Sequence, residues 1–376
     1  PYLLYFILAG LIMRPFFSPG FLFFLDMAWG PRIDLTDYLA NGLASSFPLA
    51  VIFKFLSFFM AVELTQKLLL WFILFFAASA MYGFARSYMK IEWAIGSGLF
   101  YLINPYVYER FLAGQWLVLL GYGFFPLAFK LFLEFIKNPR NKELISFSLA
   151  IAIYPILSLH WFYISSLVFA AAGLIKIWRI RGRGVFNFLA LKKLLIFIAI
   201  FIAINSFWLF SFFAPAGVWQ KITLNDFKAY ATQTDNNFGV YFNVLSLYGF
   251  WDQFNFLPKD FFPLWPALTI FILIFSALGV YSLIRNKRFV GMLILIIFLP
   301  VLLIAAGYGQ GFSKILVNLL YYILPGFKGL RETEKAVGLL AFIYALCFPL
   351  GLKYFIDYFG VKLKSLAVVT AWLLPV

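Results

Sequence analysis

Long, nearly uninterrupted apolar runs constrain this chain more than any other feature. Residues 68–85 and 289–306 are two examples, and each run approaches the 20 or so residues that cross the hydrocarbon core of a bilayer. The chain is 64% hydrophobic and 12% charged, whereas soluble domains are about 25% charged. We therefore predict an all-α polytopic transmembrane bundle. An outer-membrane barrel would instead show strands of about ten residues in which apolar and polar residues alternate.

Apolar length and flanking charges predict about eleven spans. They cover residues 1–13, 64–85, 91–104, 116–136, 144–160, 161–178, 190–213, 264–284, 289–306, 336–356 and 365–376. The pair 144–160 and 161–178 has almost no loop, so a tight turn is expected at His160-Trp161. We expect a single transmembrane domain over 1–376 with both ends truncated, since the chain opens with Pro and stops within an apolar run.

The basic loops set the predicted orientation. The inner loops are then "RSYMK" (86–90), "KNPRNKE" (137–143), 176–193, "RNKR" (285–288) and 353–364, since the positive-inside rule places Lys and Arg on this side. This rule accounts for the formal charge of +15 without a nucleic-acid partner. The outer loops are then 14–63, 214–263 and 307–335, and they carry most of the acids. Residues 312–324 have the spacing of an amphipathic helix lying in the outer interface, and residues 47–62 make a similar segment too short to span.

Several classes of chemistry are excluded by what the sequence lacks. A single Cys allows no intrachain disulfide and no cysteine metal site, and a single His allows no multi-His cluster. No P-loop and no His-Glu-x-x-His motif occurs. A Ser–His–Asp hydrolase would have to use His160, and no Gly-x-Ser-x-Gly motif supports one. Any chemistry is therefore expected from carboxylates and cations on the outer face.

Asp26 is the first candidate, because it directly follows the apolar residues of "GFLFFLDMAWGPRID" (20–34). Ionisable residues at membrane depth usually face a cavity or the protein interior, and apolar surroundings raise the pKa of a carboxyl group and make it a better base. The alternative is an interfacial Asp that caps a helix. We assign Asp26 as the catalytic base, with Asp34, Asp37 and Glu109 as candidates for an acceptor-positioning or second acid.

The segment "LINPYVYERFLAGQW" (102–116) combines aromatic residues with an adjacent acid and base. Glu109 and Arg110 diverge by about 100° on a helix and need different partners. Asn104, Gln115 and Trp116 are predicted to contact sugar. The alternative is an ordinary aromatic belt with a snorkelling charge pair.

The segment "LPGFKGLRETEKAVGLL" (324–340) brings three cations to the start of a span. Arg331 and Lys335 are expected at i, i+4 on one helix face, with Lys328 one turn earlier. The helix start favours an anion and Arg suits phosphate, so these three, with Arg110, are assigned to a donor phosphate. The alternative is that Glu332 and Glu334 pair with the cations on a solvated helix face.

Residues 205–220 and 230–256 interleave aromatic side chains with amides and carboxylates, as carbohydrate-binding surfaces do. Asp235 and Asp252 are the candidate sugar contacts here, and an aromatic-rich interfacial loop is the alternative. His160, beside Trp161 and Tyr163, is a further candidate for sugar contact, although its position equally fits a structural role.

The order of "NPYVYERFLAGQWLVLLGYGFFPLAF", "NSFWLFSFFAP" and "LRETEKAVGLLAFIYAL" resembles the membrane region of the arabinofuranosyltransferase D family. More broadly, it resembles the GT-C class of polyprenyl-phosphate-sugar-dependent glycosyltransferases. The mycobacterial members are far longer and carry soluble carbohydrate-binding regions that this chain lacks. The Lys-rich, Phe-rich style suits another prokaryotic lineage, so the resemblance does not fix arabinose as the sugar.

The GT-C resemblance implies an extracytoplasmic site, a lipid-phosphate sugar donor and an essential acid in the first outer loop, a position that Asp26 fills. The expected partners are a polyprenyl-phosphate-linked sugar, a glycan or glycolipid acceptor and membrane lipid. No cofactor is certain, and a divalent cation is left open. A transporter or flippase of lipid-linked sugars or other amphiphiles is the alternative function. An inactive scaffold protein is a third.

Overall fold

A computed structural model describes residues 1–36, 43–179, 188–210, 222–252, 256–309 and 311–359, which are almost entirely helical. Within these residues the α-helices are α1 (Tyr2–Met13), α2 (Phe47–Leu56), α3 (Val62–Ala85), α4 (Ile91–Leu102), α5 (Pro105–Leu112), α6 (Trp116–Lys137), α7 (Asn141–Leu157), α8 (Leu159–Arg179), α9 (Phe188–Leu209), α10 (Leu224–Ala229), α11 (Gly239–Leu245), α12 (Pro258–Phe261), α13 (Trp265–Arg285), α14 (Phe289–Ala306), α15 (Gly311–Ile323) and α16 (Val337–Phe359). Strands β1 (Phe23–Phe24) and β2 (Met27–Ala28) form a short antiparallel hairpin.

Seven helical segments in the described part of the chain are long and apolar enough to cross a membrane. They are Val62–Ala85, Trp116–Lys137, Leu159–Ile177, Lys192–Leu209, Trp265–Arg285, Phe289–Ala306 and Thr333–Phe359. Each coincides with a predicted span. The prediction of a helical membrane protein is therefore confirmed, while the count of about eleven spans stays a prediction.

The other predicted spans are shorter helices or lie elsewhere. Helices α1, α4 and α7 occupy the predicted spans 1–13, 91–104 and 144–160 and have 12, 12 and 17 residues. The last predicted span, 365–376, lies outside the described residues. Helices α7 and α8 meet at Ser158, two residues before the predicted turn. The Ser158 hydroxyl accepts a hydrogen bond from the N–H of Trp161, so it caps the start of α8.

Both predicted interfacial segments contain a helix. In α15, Ser313 and Val317 are buried, whereas Ile315, Leu319 and Ile323 are exposed. An exposed apolar face on a helix beside spans suits the membrane interface. Residues 47–62 contain α2, which at ten residues is too short to span, as predicted.

The chain divides into two compact units. The first comprises Pro1–Phe6, Ala77–Leu112 and Ile222–Val376, and the second comprises Ile7–Phe76 and Ala113–Lys221. In the first unit, α13 and α16 pack closely because glycines face backbone on the neighbouring helix. A Cβ on Gly279 would meet the Cys347 backbone, and one on Gly351 would meet the Phe275 backbone. Small residues at such contacts are the usual basis of close helix packing in membranes.

The second unit packs α6 against α7 and α8. Gly121 on α6 faces Ser158 and Trp161, where a larger residue would clash. Further along α6, the rings of Phe125 and Phe129 stack on the ring of Phe169, and their centroids lie 6.3 and 6.2 Å from its centroid. This packing fixes the start of α6, which carries Trp116.

Candidate functional site

Asp26 lies in the two-residue turn between β1 and β2 in the second unit. Its side chain is exposed, and its N–H donates a 2.9 Å hydrogen bond to the carbonyl of Ala113. The expectation that apolar neighbours enclose this carboxylate is wrong, because the tight turn carries it to the surface. The helix-cap alternative is also wrong, since the residue belongs to a hairpin.

Gly114 allows the hairpin to approach the start of α6. Its φ of +69° is in the left-handed region, which glycine adopts without a steric cost. A Cβ there would lie 2.5 Å from Cβ of Phe24 and 2.8 Å from Cβ of Met27. A residue with a side chain at position 114 would therefore displace both strands. The close backbone approach at Gly114 is therefore made to the protein's own hairpin.

Gln115 connects directly to the predicted catalytic residue. Its Nε2 donates a 2.8 Å hydrogen bond to Oδ2 of Asp26. No donor among the described residues bonds to the other carboxylate oxygen, Oδ1. A neutral amide bonded to one oxygen fixes the orientation of the carboxylate. Two candidates from separate motifs thus form one site.

Three aromatic rings lie beside this pair. The ring centroids of Trp29 and Trp116 are 5.8 Å apart, and Phe53 lies 5.1 Å from Trp29 and 5.7 Å from Trp116. We call these three residues the aromatic trio. Both tryptophans are half-buried. Ring faces next to a carboxylate and an amide are the combination that binds carbohydrate, because apolar sugar faces stack while hydroxyls form hydrogen bonds.

Three polar side chains on α3 fix the segment leading into the hairpin. Gln66 exchanges hydrogen bonds of 3.0 and 2.8 Å with the backbone of Leu22. Lys67 donates to the carbonyl of Ser18 and pairs with Glu63 at 2.7 Å. The sequence analysis missed these residues. Their i, i+3, i+4 spacing at the start of an apolar run was the signal that one face of α3 has a polar partner.

Glu109 is buried in the first unit. Its Oε1 accepts a hydrogen bond from the N–H of Gly249 at 3.4 Å, and its Oε2 accepts one from Phe250 at 3.2 Å. Burial raises the pKa of the Glu109 carboxyl to about 7, although Arg110 and these two donors favour the charged form. Its carboxylate therefore fixes the 249–250 backbone.

Arg110 takes a different partner from its neighbour, as predicted. Its two terminal nitrogens each lie 3.3 Å from Oε1 of Glu334. The guanidinium also lies over the rings of Tyr106 and Phe250, at 5.2 and 4.7 Å from their centroids. Arg110 and Glu334 are both fully buried. A pair this enclosed is costly to break, because either partner alone would be an uncompensated charge.

The predicted helix face carrying Arg331 and Lys335 is wrong. Residues Phe327–Leu330 and Thr333–Ala336 form two separate 3₁₀ turns, and α16 begins only at Val337. A 3₁₀ helix has three residues per turn, so residues i and i+4 do not share a face. Lys335 is buried and pairs with Glu332 at 3.1 Å. The alternative of acid–base pairing is thus present, but in the interior rather than on a solvated face.

The two other cations of this segment are accessible. Arg331 is half-buried, with its guanidinium 4.5 Å from the ring centroid of Tyr230. Lys328 is exposed, with its amine 4.8 Å from the ring centroid of Tyr321. Hydrogen bonds from Thr223 and, less strongly, the charge of Arg331 lower the pKa of the nearby Asp226 carboxyl.

The remaining candidates take part in local structure. Asn104 joins α4 to α5, because its amide donates to the carbonyls of Phe100 and Tyr101 and its oxygen accepts from the N–H of Val107. Asp235 pairs with Lys259 at 3.0 Å.

The structure also describes the candidates Asp34, His160 and Asp252. Asp34 accepts hydrogen bonds from the backbone and hydroxyl of Thr36, which lower the pKa of its carboxyl. His160 is half-buried in the first turn of α8. Asp252 is half-buried, and Asp37 lies outside the described residues.

No group of three or more His, Cys, Asp and Glu residues is placed to hold a metal ion in the described ranges. A divalent cation at the predicted carboxylates stays a prediction.

The fold and these surroundings define an α-helical integral membrane protein in which an exposed carboxylate, bonded to a buried amide, lies near aromatic rings. No protein-family model matches the chain, and no curated protein matches it.

Proposed function

We propose that the protein is a membrane glycosyltransferase. It would move a sugar from a polyprenyl-phosphate donor to a glycan or glycolipid acceptor, with inversion, on the extracytoplasmic side of a prokaryotic plasma membrane. The observation that carries this proposal is the exposed carboxylate of Asp26, held through Oδ2 by Gln115 beside the aromatic trio. A base must lie at an accessible surface and be held in one orientation, and Asp26 meets both conditions.

In the proposed reaction, Oδ1 of Asp26 takes the proton of an acceptor hydroxyl. The acceptor oxygen forms a bond to the anomeric carbon as the bond from that carbon to the phosphate oxygen breaks. The phosphate leaves with the bonding electrons and needs no proton from a second acid. The bond from Gln115 occupies Oδ2 and so leaves Oδ1 for the acceptor. Asp34 and Asp37 keep their predicted role as candidates for acceptor positioning, whereas Glu109 is buried and both of its oxygens accept backbone hydrogen bonds.

The aromatic trio supports a carbohydrate acceptor in the second unit. Trp29 and Trp116 meet nearly at right angles, with 84° between their planes. Two half-buried rings at this angle offer a corner in which the apolar face of one sugar ring can stack. Asp26 lies three residues before Trp29, and Gln115 immediately precedes Trp116. The hydrogen-bonding groups and the stacking surface therefore lie close together in the sequence as well.

Phosphate binding is a separate part of the proposal, and it rests on the first unit alone. Arg331 and Lys328 are accessible, and a tyrosine ring supports each cation from one side. A planar guanidinium can bind phosphate through its edge while its face stays on the ring. Arg110 and Lys335, which were also assigned to phosphate, are buried and paired with carboxylates. We propose that these two position the segment that carries Arg331.

One observation favours the alternative of a transporter. The segment Thr333–Phe359 begins with the buried charges Glu334 and Lys335, and buried charges in spanning segments often mark transport pathways.

The experiment is to reconstitute the purified protein in vesicles with polyprenyl-phosphate sugars labelled in the sugar. Label that appears in an added glycan acceptor supports the transferase. Label that crosses the bilayer while still attached to the lipid would instead support the transporter and contradict the transferase.

A further inference from the structure

A polar cavity of about 570 Å³ lies in the first unit, and none of the candidate site residues described above lines it. Its walls come from Tyr88, the end of α13, the loop 286–288 that precedes α14, and the second half of α16. The sequence analysis predicted all of these segments on the inner side of the membrane. The cavity therefore lies at the ends of spanning helices, where headgroups of the inner leaflet would be.

The charges of the cavity are unbalanced. Lys287, Arg288 and Lys353 contribute three positive charges, and Asp357 is the one carboxylate in the lining. Asp357 pairs with Lys353 at 2.5 Å. No ion pair in the described residues joins Lys287 or Arg288 to a carboxylate. The cavity thus holds an excess of positive charge that an anion would neutralise.

Two further features, the Tyr88 hydroxyl and the start of α14, bear on the charge of this cavity. Burial raises the pKa of Tyr88 to about 12, and the charge of Arg288 acts against that rise. Helix α14 starts immediately after Arg288, with no side-chain cap and no acid in its first turn. Its free N–H groups therefore also favour an anion.

We propose that this cavity binds the phosphate of an anionic phospholipid headgroup from the inner leaflet. The wall also contains Leu283 and Leu350, and the neighbouring α13 residues Tyr281 and Ile284 are exposed by 52% and 41%. The exposed side chains beside the cavity suit the glycerol and acyl part of a lipid. The site is independent of the proposed glycosyl transfer.

The test uses the purified protein in a neutral detergent, with its thermal unfolding followed during titration with phosphatidylglycerol, phosphatidylcholine or inorganic phosphate. Phosphatidylglycerol is expected to raise the Tm, and the other two are not. The double variant Lys287→Gln, Arg288→Gln should need at least about tenfold more phosphatidylglycerol to reach half of the Tm rise. The reason is that it lacks two cations, each of which attracts an anionic headgroup.

The matched control is Arg140→Gln with Lys142→Gln. It removes the same two charge types from exposed positions in another predicted inner loop. We expect this control to respond like the wild type. Native mass spectrometry of co-purified lipid gives a second readout, in which the Lys287–Arg288 variant should retain less phosphatidylglycerol.

Three results would overturn the proposal. The first is an unchanged lipid response in the Lys287–Arg288 variant, and the second is an equal loss in the Arg140–Lys142 control. The third is a wild-type Tm shift with inorganic phosphate as large as that with phosphatidylglycerol, which would identify a free anion as the ligand.

Discussion

Gln115 donates a hydrogen bond to Oδ2 of Asp26 across 89 residues of sequence. The bond exists because the Asp26 hairpin rests on the backbone at Ala113 and Gly114, immediately before Gln115. The orientation of the carboxylate is therefore set by how closely the hairpin approaches the start of α6. Changes at this contact should affect activity without removing any reacting group.

Gly114→Ala should reduce transfer strongly. The added Cβ would need the space of Phe24 and Met27, and the φ of +69° is strained for alanine. We expect the hairpin to shift and Asp26 to lose its bond to Gln115, with a fall in kcat of tenfold or more. Gly30→Ala is the control, because nothing lies within 4 Å of its added Cβ. Steady-state kinetics of both variants check this, and equal activity in the two would contradict it.

Arg331→Gln should weaken the use of the lipid-phosphate donor. Loss of a cation that binds phosphate is expected to raise the KM for the donor by about tenfold, with little change in the KM for the acceptor. Lys314→Gln is the matched control, because the Lys314 amine also lies over a tyrosine ring, that of Tyr308, at 5.1 Å. An unchanged donor KM in Arg331→Gln, or an equal rise in the control, would remove Arg331 from the phosphate site.

Arg110→Met should destabilise the protein by about 3–5 kcal/mol, because it leaves the buried Glu334 without its cation. The double variant Arg110→Met, Glu334→Gln should recover part of this loss, since the remaining side chain is neutral. Asp357→Asn is the control: its pair with Lys353 is exposed, so we expect less than about 1 kcal/mol. Thermal unfolding in detergent measures all three. A double variant no more stable than Arg110→Met would contradict this explanation.

Glu109 should make the protein less stable as the pH rises. Its pKa in the folded protein is about 7, above the ordinary value of 4.5, so the folded state binds its proton more tightly than the unfolded state does. The stabilising contribution is complete below about pH 4.5 and is lost as the pH rises through 7. Glu109→Gln should flatten the fall of Tm between pH 5 and 8. If the Tm of Glu109→Gln fell as steeply with pH as that of the wild type, another titrating group would be responsible for the fall.

The sequence predicted the spans well because a bilayer demands long apolar helices, and charges mark their ends. In the part of the chain that the structure describes, the seven helices long enough to cross a membrane all lie at predicted positions. The 3₁₀ turns before α16 were not predictable in the same way. "LRETEKAV" has the composition of a helix start, and the long-range pair of Glu334 with Arg110 accompanies the tighter turns, together with the local pair of Lys335 with Glu332.

The candidate site shows a similar division. Asp26 and Gln115 were both identified from their local patterns, but their hydrogen bond depends on a long-range approach that no local pattern encodes. The enclosure of Asp26 was predicted wrongly, because a run of apolar residues does not reveal a two-residue turn. Glu63 and Lys67 were missed since their partners are backbone groups more than 40 residues away.

The most direct measurement is transfer of label from polyprenyl-phosphate sugars to a glycan acceptor by purified wild type, Asp26→Asn and Asp260→Asn. Asparagine at position 26 can still bond to Gln115 but cannot take a proton from a hydroxyl. Asp260 is an exposed carboxylate in another predicted outer loop. We expect Asp260→Asn to retain the wild-type transfer rate, and we expect the rate of Asp26→Asn to fall by at least about a hundredfold. Full transfer by Asp26→Asn would contradict the assignment of Asp26 as the base.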